Sequence, residues 1–107
     1  MALQTLKDAL AATNLPFVHY AWAKNAKELL GDHGVYAEDG ANNLRCDDIH
    51  AEHAVEGTVD YYTRDDSGAP QTAIEAALNN GLIAWYLNSI QFEEDTGFIH
   101  YEWVFQV

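Results

Sequence analysis

Two segments in the second half of the chain alternate apolar and polar residues, and this alternation restricts the possible folds more than any other feature. The segment 55–61 alternates Val, Gly, Val and Tyr with Glu, Thr and Asp. The segment 99–107 places five apolar residues on one face, namely Ile99, Tyr101, Trp103, Phe105 and Val107. Because successive side chains of a strand point to opposite faces, both segments predict strands with one buried face.

The first half of the chain predicts a helix followed by less regular structure. Leu3, Leu6 and Leu10 form one apolar stripe of a short helix that ends near residue 14. Aromatic and β-branched residues then predict a strand over 17–22. Weaker patterns predict, in order, a helical turn over 25–30, a brief strand over 35–38 and a turn over 38–43.

The second half predicts a helix between its strands and a closing hairpin. After a polar loop over 64–69, Pro70 suits the first turn of a helix that ends at 79–81. An extended segment over 82–92 and a polar turn over 93–97 lead into the last strand. Together the elements predict an α+β fold, a mainly antiparallel sheet with two helices packed on one face. We expect one domain over 1–107 and cannot read the strand order.

The charge of the chain limits its partners. Five Lys and Arg residues stand against 17 Asp and Glu residues, a formal net charge of -12 in 107 residues. The five cations are scattered, so we expect no tight nucleic-acid binding and no attraction to anionic membranes. No apolar run approaches the roughly 20 residues of a membrane span, and the first residues lack a signal-peptide pattern. We therefore expect a protein that is cytosolic when made.

The densest group of potential metal ligands lies around Cys46. His50 and His53 follow it, with Asp47, Asp48 and Glu52 between them. A metal site or a Cys46 nucleophile is one hypothesis, because these side chains bind transition metals. The spacing favours exposed loop and strand residues instead, since no second paired motif completes a tetrahedral site. We expect no metal and no cofactor, and a small metal-binding protein or enzyme using Cys46, His50 and His53 stays as an alternative.

Catalytic chemistry is not indicated elsewhere in the sequence. Glu93, Glu94 and Asp95 are neighbouring carboxylates, but a hairpin turn exposes them to solvent and leaves their acidity untuned. No glycine-rich phosphate loop or other catalytic signature is present. We therefore expect a protein that is not an enzyme. The acidic surface allows one further alternative, an immunity or inhibitor protein that masks a basic partner.

The second half resembles a family of small tail proteins of long-tailed bacteriophages and prophages, the tail terminator or tail completion group. The similarity begins at Cys46-Asp47-Asp48 and continues through the strand that ends in Val59-Asp60-Tyr61-Tyr62-Thr63. The acidic loop Arg64-Asp65-Asp66, a helix around 74–78 and a hairpin into Ile99-His100-Tyr101-Glu102-Trp103 complete it. The resemblance covers roughly residues 46–107, and residues 23–34 match nothing in the pattern.

The resemblance implies a structural virion protein that assembles into a ring, commonly a hexamer, at the head-proximal end of the tail. Its partners would be further copies of itself, the tail tube protein and the head-tail connector. Its location would be the virion tail, and the host cytoplasm during assembly. On this interpretation sheet edges and loops form the interfaces, and the candidate interface residues are Arg64, Asp65, Asp66, Glu93, Glu94 and Asp95.

Overall fold

The computed structural model describes residues 2–19, 31–41 and 55–107, and the structural statements below concern these residues. They form two helices and one five-stranded sheet. The elements in chain order are α1 (Ala2–Ala11), β1 (Phe17–His19), β2 (His33–Ala41), β3 (Val55–Thr63), α2 (Ala69–Asn80), β4 (Ala84–Glu93) and β5 (Phe98–Gln106).

The sheet has the strand order β1-β2-β3-β5-β4. The pair β1–β2 is parallel, and the other three pairs are antiparallel. The expected α+β fold with a mainly antiparallel sheet is therefore confirmed. The order places the three-residue β1 at one edge of the sheet and the ten-residue β4 at the other.

One core cluster contains residues from both helices and from the strands, and we call the face of the sheet that carries Val59 and Trp103 the core face. Trp103, Val59 and Leu78 are each fully buried in this cluster. Other buried members are Leu6 and Leu10 from α1, Ile74 from α2, and Tyr36, Tyr61, Tyr101 and Phe105 from the strands. Apart from Tyr36, these strand residues alternate along β3 and β5, as the sequence pattern predicts. The opposite face of the sheet is called the outer face below.

The structure corrects one predicted turn. The sequence predicted a turn over 38–43, but β2 continues to Ala41. Glu38 still pairs with Gly57, and the register then shifts before Ala41 pairs with Val55. The Asp-Gly pair at 39–40 thus lies in an irregularity within β2 instead of a turn. Residues that favour turns also occur at bulges of strands. The first strand is described only to His19, and the helical turn expected over 25–30 lies outside the described residues.

Candidate functional site

Two predicted interface loops meet at one end of the sheet, where Arg64 joins them. Its Nε and Nη2 atoms donate hydrogen bonds of 3.0 and 2.8 Å to the carbonyl oxygen of Thr96. Its guanidinium also lies 4.0 Å from the centre of the Phe98 ring, a cation–π distance. The loop after β3 is therefore fixed to the turn between β4 and β5. Arg64 therefore has a structural role within the chain, because it joins these two loops.

The carboxylates of the two loops differ in their surroundings. Asp65 accepts a hydrogen bond from the Ser67 backbone N–H at 2.9 Å. The bonds from Ser67 lower the pKa of the Asp65 carboxyl, because they favour its charged form. Glu93 accepts a hydrogen bond from Thr96 at 3.3 Å. Asp66, Glu94 and Asp95 are exposed. The structure thus brings all six predicted interface residues to one end of the sheet, and their role in an interface stays a prediction.

The outer face carries a stack of three rings that the sequence analysis missed. His33, Tyr62 and His100 lie on three neighbouring strands and occupy one row of the sheet. The ring centres are 4.6 Å apart for His33 and Tyr62, and 4.2 Å apart for Tyr62 and His100. Phe98 contacts the stack edge-on, 5.4 Å from His33. No local motif marks this stack, because its members come together only through the strand order.

Carboxylates surround the His100 end of the stack. The Nε2 atom of His100 lies 2.8 Å from Asp60, and its Nδ1 atom lies 3.6 Å from Glu93. The hydrogen bond to Asp60 raises the pKa of His100, and the nearby negative charges add to that rise against the effect of burial. Burial raises the pKa of Tyr62 to about 12, and the same carboxylates, with Glu102, contribute. This arrangement favours the protonated form of His100.

The edge strand β4 exposes large apolar side chains. Tyr86 is 57% exposed, Ile90 is 51% exposed and Phe92 is 64% exposed. Among the described residues only two further large apolar side chains are exposed, Val18 and Leu82. Glu93 is the single charged residue of the ten in β4. This strand therefore offers an uncharged edge on a strongly acidic chain.

A groove of about 530 Å³ separates α1 from α2. Alanines form half of its lining, with Thr5, Asp8 and Asn80 among the polar residues. The groove offers small apolar side chains and no arrangement suited to a reaction.

The described residues form no cluster of metal ligands and no membrane-spanning helix. Within the ranges 2–19, 31–41 and 55–107, no three His, Cys, Asp or Glu side chains are arranged to hold a metal ion. Cys46, His50 and His53 lie outside those ranges, as do Asp47, Asp48 and Glu52. His33, the nearest histidine before them, has its Nδ1 atom 2.7 Å from the Gly31 carbonyl oxygen. Neither described helix is long and apolar enough to cross a membrane.

Comparison with family models, with curated proteins and with solved structures finds no match to this chain.

Proposed function

We propose that this chain is a structural subunit of a phage or prophage tail, a tail terminator or head-tail joining protein that assembles into a ring. The observation that carries the proposal is β4, which forms an edge of the described sheet and is ten residues long with one charged residue. A long, uncharged edge strand presents unpaired backbone groups, and monomeric proteins normally protect such edges with charges, prolines or a covering segment. Its exposure favours assembly with another chain.

The loops at the end of the sheet support the same proposal. Glu93 ends β4. Arg64, in the loop after β3, binds the turn that follows Glu93. A subunit that contacts its neighbour through β4 would place this rigid, charged end beside the contact. Charged residues at the rim of an apolar contact select the partner and its orientation more than they add affinity. The six predicted interface residues suit that role.

The acidic composition suits a ring through which DNA passes. A surface with a net charge of -12 repels the phosphate backbone rather than retaining it. The chain would therefore bind protein neighbours while leaving DNA free to move through the lumen. The described order of strand, helix and hairpin, β3-α2-β4-β5, is also compatible with the tail proteins that the sequence resembles.

A tube-capping assay tests the proposal. The cognate tail tube protein is polymerised with and without the chain, and tube lengths and tube ends are recorded by negative-stain electron microscopy. We expect shorter tubes that carry a ring at one end. Ile90→Lys should require about tenfold more protein for the same effect, because a buried aliphatic side chain contributes about 1.5–3 kcal/mol.

The matched control is Leu82→Lys. Leu82 is 93% exposed and lies in the turn after α2, outside the sheet, so its replacement by Lys should leave capping unchanged. Unchanged tube lengths at saturating wild-type protein, with no density at tube ends, would overturn the proposed function.

A further inference from the structure

The bulge in β4 changes which residues of that strand face the core. Trp85 and Leu87 lie opposite Phe105 and Trp103 of β5, and the register then shifts between Leu87 and Ser89. After the shift, Ile90 and Phe92 lie opposite Tyr101 and Ile99. The four β5 positions alternate along one regular strand, so Trp85, Leu87, Ile90 and Phe92 all lie on the core face. The backbone N–H and C=O groups of these four residues also point to the same side of β4, because the residues pair with equivalent positions of β5.

This pattern is self-complementary when the strand meets a copy of itself in the antiparallel direction. If Ala84 lies opposite the partner's Glu93, all ten residues pair. Trp85 then faces the partner's Phe92 and Leu87 faces the partner's Ile90, each contact occurring twice. Residues directly opposite in an antiparallel pair share a face, and here the apolar residues meet on the core face of both copies. The bulge makes this match possible, since without it Trp85 and Phe92 would lie on opposite faces.

We propose that β4 pairs with β4 of a second copy of this chain, antiparallel and with Ala84 opposite the partner's Glu93, joining two sheets into one of ten strands. The inference rests on the proposed function in one respect, namely that β4 is the assembly surface. Because such a contact is two-fold, a closed ring that contains it needs a second, different contact and an even number of subunits.

Strand length favours a second copy as the occupant, and the low charge of β4 permits it. Two chains of net charge -12 repel each other, so a contact between them must use a surface with little charge. In the proposed register the two Glu93 side chains lie at opposite ends of the contact, each beside an Ala84. The described part of the other edge strand, β1, is three residues long, whereas β4 offers ten residues to a second copy of itself. Within the described sheet, the edge strand that matches β4 in length is therefore β4 itself.

Sedimentation equilibrium measures the contact. The wild-type chain should form dimers in a concentration-dependent manner, and Phe92→Glu should raise the dimer dissociation constant about tenfold or more, because the carboxylate would be buried against Trp85. Phe92 is 64% exposed in the single chain, so the substitution should not impair folding, which far-UV circular dichroism checks. The control Leu82→Glu should dimerise as the wild type does. A wild-type chain that stays monomeric at high concentration would overturn the proposal.

Paired cysteines test the register. In a Cys46→Ser background, Tyr86→Cys and Gln91→Cys are prepared as separate variants, both on the outer face of β4. The proposed register places residue 86 opposite the partner's residue 91, at a Cα separation of about 4.5–5.5 Å, which a disulfide spans. Two copies of the same variant hold their cysteines about 16 Å apart, five residues along the strand. Mild oxidation should therefore link the mixed variants and leave each variant alone unlinked.

The outcomes separate this inference from the proposed function. Equal cross-linking of the single variants, or no cross-linking of a mixture that dimerises, would refute the register. Tube capping without β4 dimers would keep the tail function and reject the self-pairing. Dimers in the expected register without any effect on tubes would keep the self-pairing and reject the tail function.

Discussion

Single side chains on the outer face form an electrostatic cluster whose balance depends on one proton. Asp60 and Glu102 lie directly opposite each other on β3 and β5. Like charges in this position destabilise a sheet. His100 lies 2.8 Å from Asp60 and stacks on Tyr62, so a proton on its ring offsets the repulsion. The cluster therefore stabilises the sheet most when His100 is charged.

The pH dependence of stability follows from the raised pKa of His100. A group whose pKa is higher in the folded than in the unfolded chain stabilises the fold below its unfolded pKa, and the contribution is lost as the pH rises through its folded pKa. His100→Gln should therefore lower the free energy of unfolding by about 1.5–3 kcal/mol near pH 5.5, the range for a hydrogen bond to a charged group. Near pH 9 the loss should be much smaller. Urea unfolding across this range measures it.

Asp60→Asn is the matched control for this effect. It removes the carboxylate that holds the proton, so His100→Gln in an Asp60→Asn background should cost little at either pH. A constant difference between wild type and His100→Gln from pH 5.5 to 9 would show that the ring acts through packing alone.

Pairs of elements explain features that no single side chain determines. At the β2–β3 contact, Gly57 lies opposite Glu38, next to the register shift in β2. A Cβ atom added at Gly57 would overlap the backbone carbonyl oxygen of Ala37. This close approach lies beside the irregularity in β2. This lack of space for a side chain explains why a glycine occupies position 57 within the alternating pattern of β3.

Gly57→Ala should destabilise the protein by about 1–3 kcal/mol, the usual cost of forcing extra atoms into a packed site. Ala in place of Gly otherwise stabilises by up to about 1 kcal/mol through the unfolded chain, so the overlap must exceed that gain. Gly31→Ala is the control, since no atom of the described residues lies within 4 Å of the added methyl group. Chemical denaturation of both variants gives the comparison, and equal midpoints would contradict the steric account.

The sequence predicted the elements better than their arrangement. The alternation in 55–61 and 99–107 identified β3 and β5, and the apolar residues Ile74, Ala77 and Leu78 identified α2, because burial leaves a periodic pattern. The extension of β2 through Asp39 and Gly40 was missed, since these residues indicate a turn wherever pairing to a neighbour is unknown. Strand order was not readable because it depends on contacts between distant segments.

The candidate sites were predictable to different degrees. The acidic residues at the loops, such as Asp66 and Glu94, were visible as turn residues, and the structure places them at the same end of the sheet. The stack around Tyr62 was not predictable, because His33 and His100 meet it only through β2 and β5. The sequence likewise did not predict that β4 lies at the edge of the sheet. A bulge that moves Ile90 and Phe92 to the core face breaks the simple alternation, so the local pattern reads as a plain apolar segment.

The net charge of -12 acts on every contact between two copies of the chain. At low ionic strength the copies repel over a distance comparable to the Debye length, about 30 Å at 0.01 M salt and 8 Å at 0.15 M. The proposed β4 contact is apolar and gains nothing from charge attraction. Assembly through it is therefore a competition between buried apolar area and long-range repulsion, and salt weakens only the repulsion.

The salt dependence of binding consequently distinguishes assembly with itself from binding of a basic partner. Raising the salt concentration from about 0.01 to 0.15 M should lower the dimer dissociation constant several-fold, because screening removes the repulsion between like-charged copies. An acidic inhibitor that masks a basic protein would respond in the opposite direction, since screening weakens an attractive pair. Sedimentation equilibrium at both salt concentrations measures the sign. Dimers that dissociate as salt is added would contradict an apolar contact at β4 and favour one made by charges, because a buried apolar strand pair has no attractive charge interaction for salt to screen.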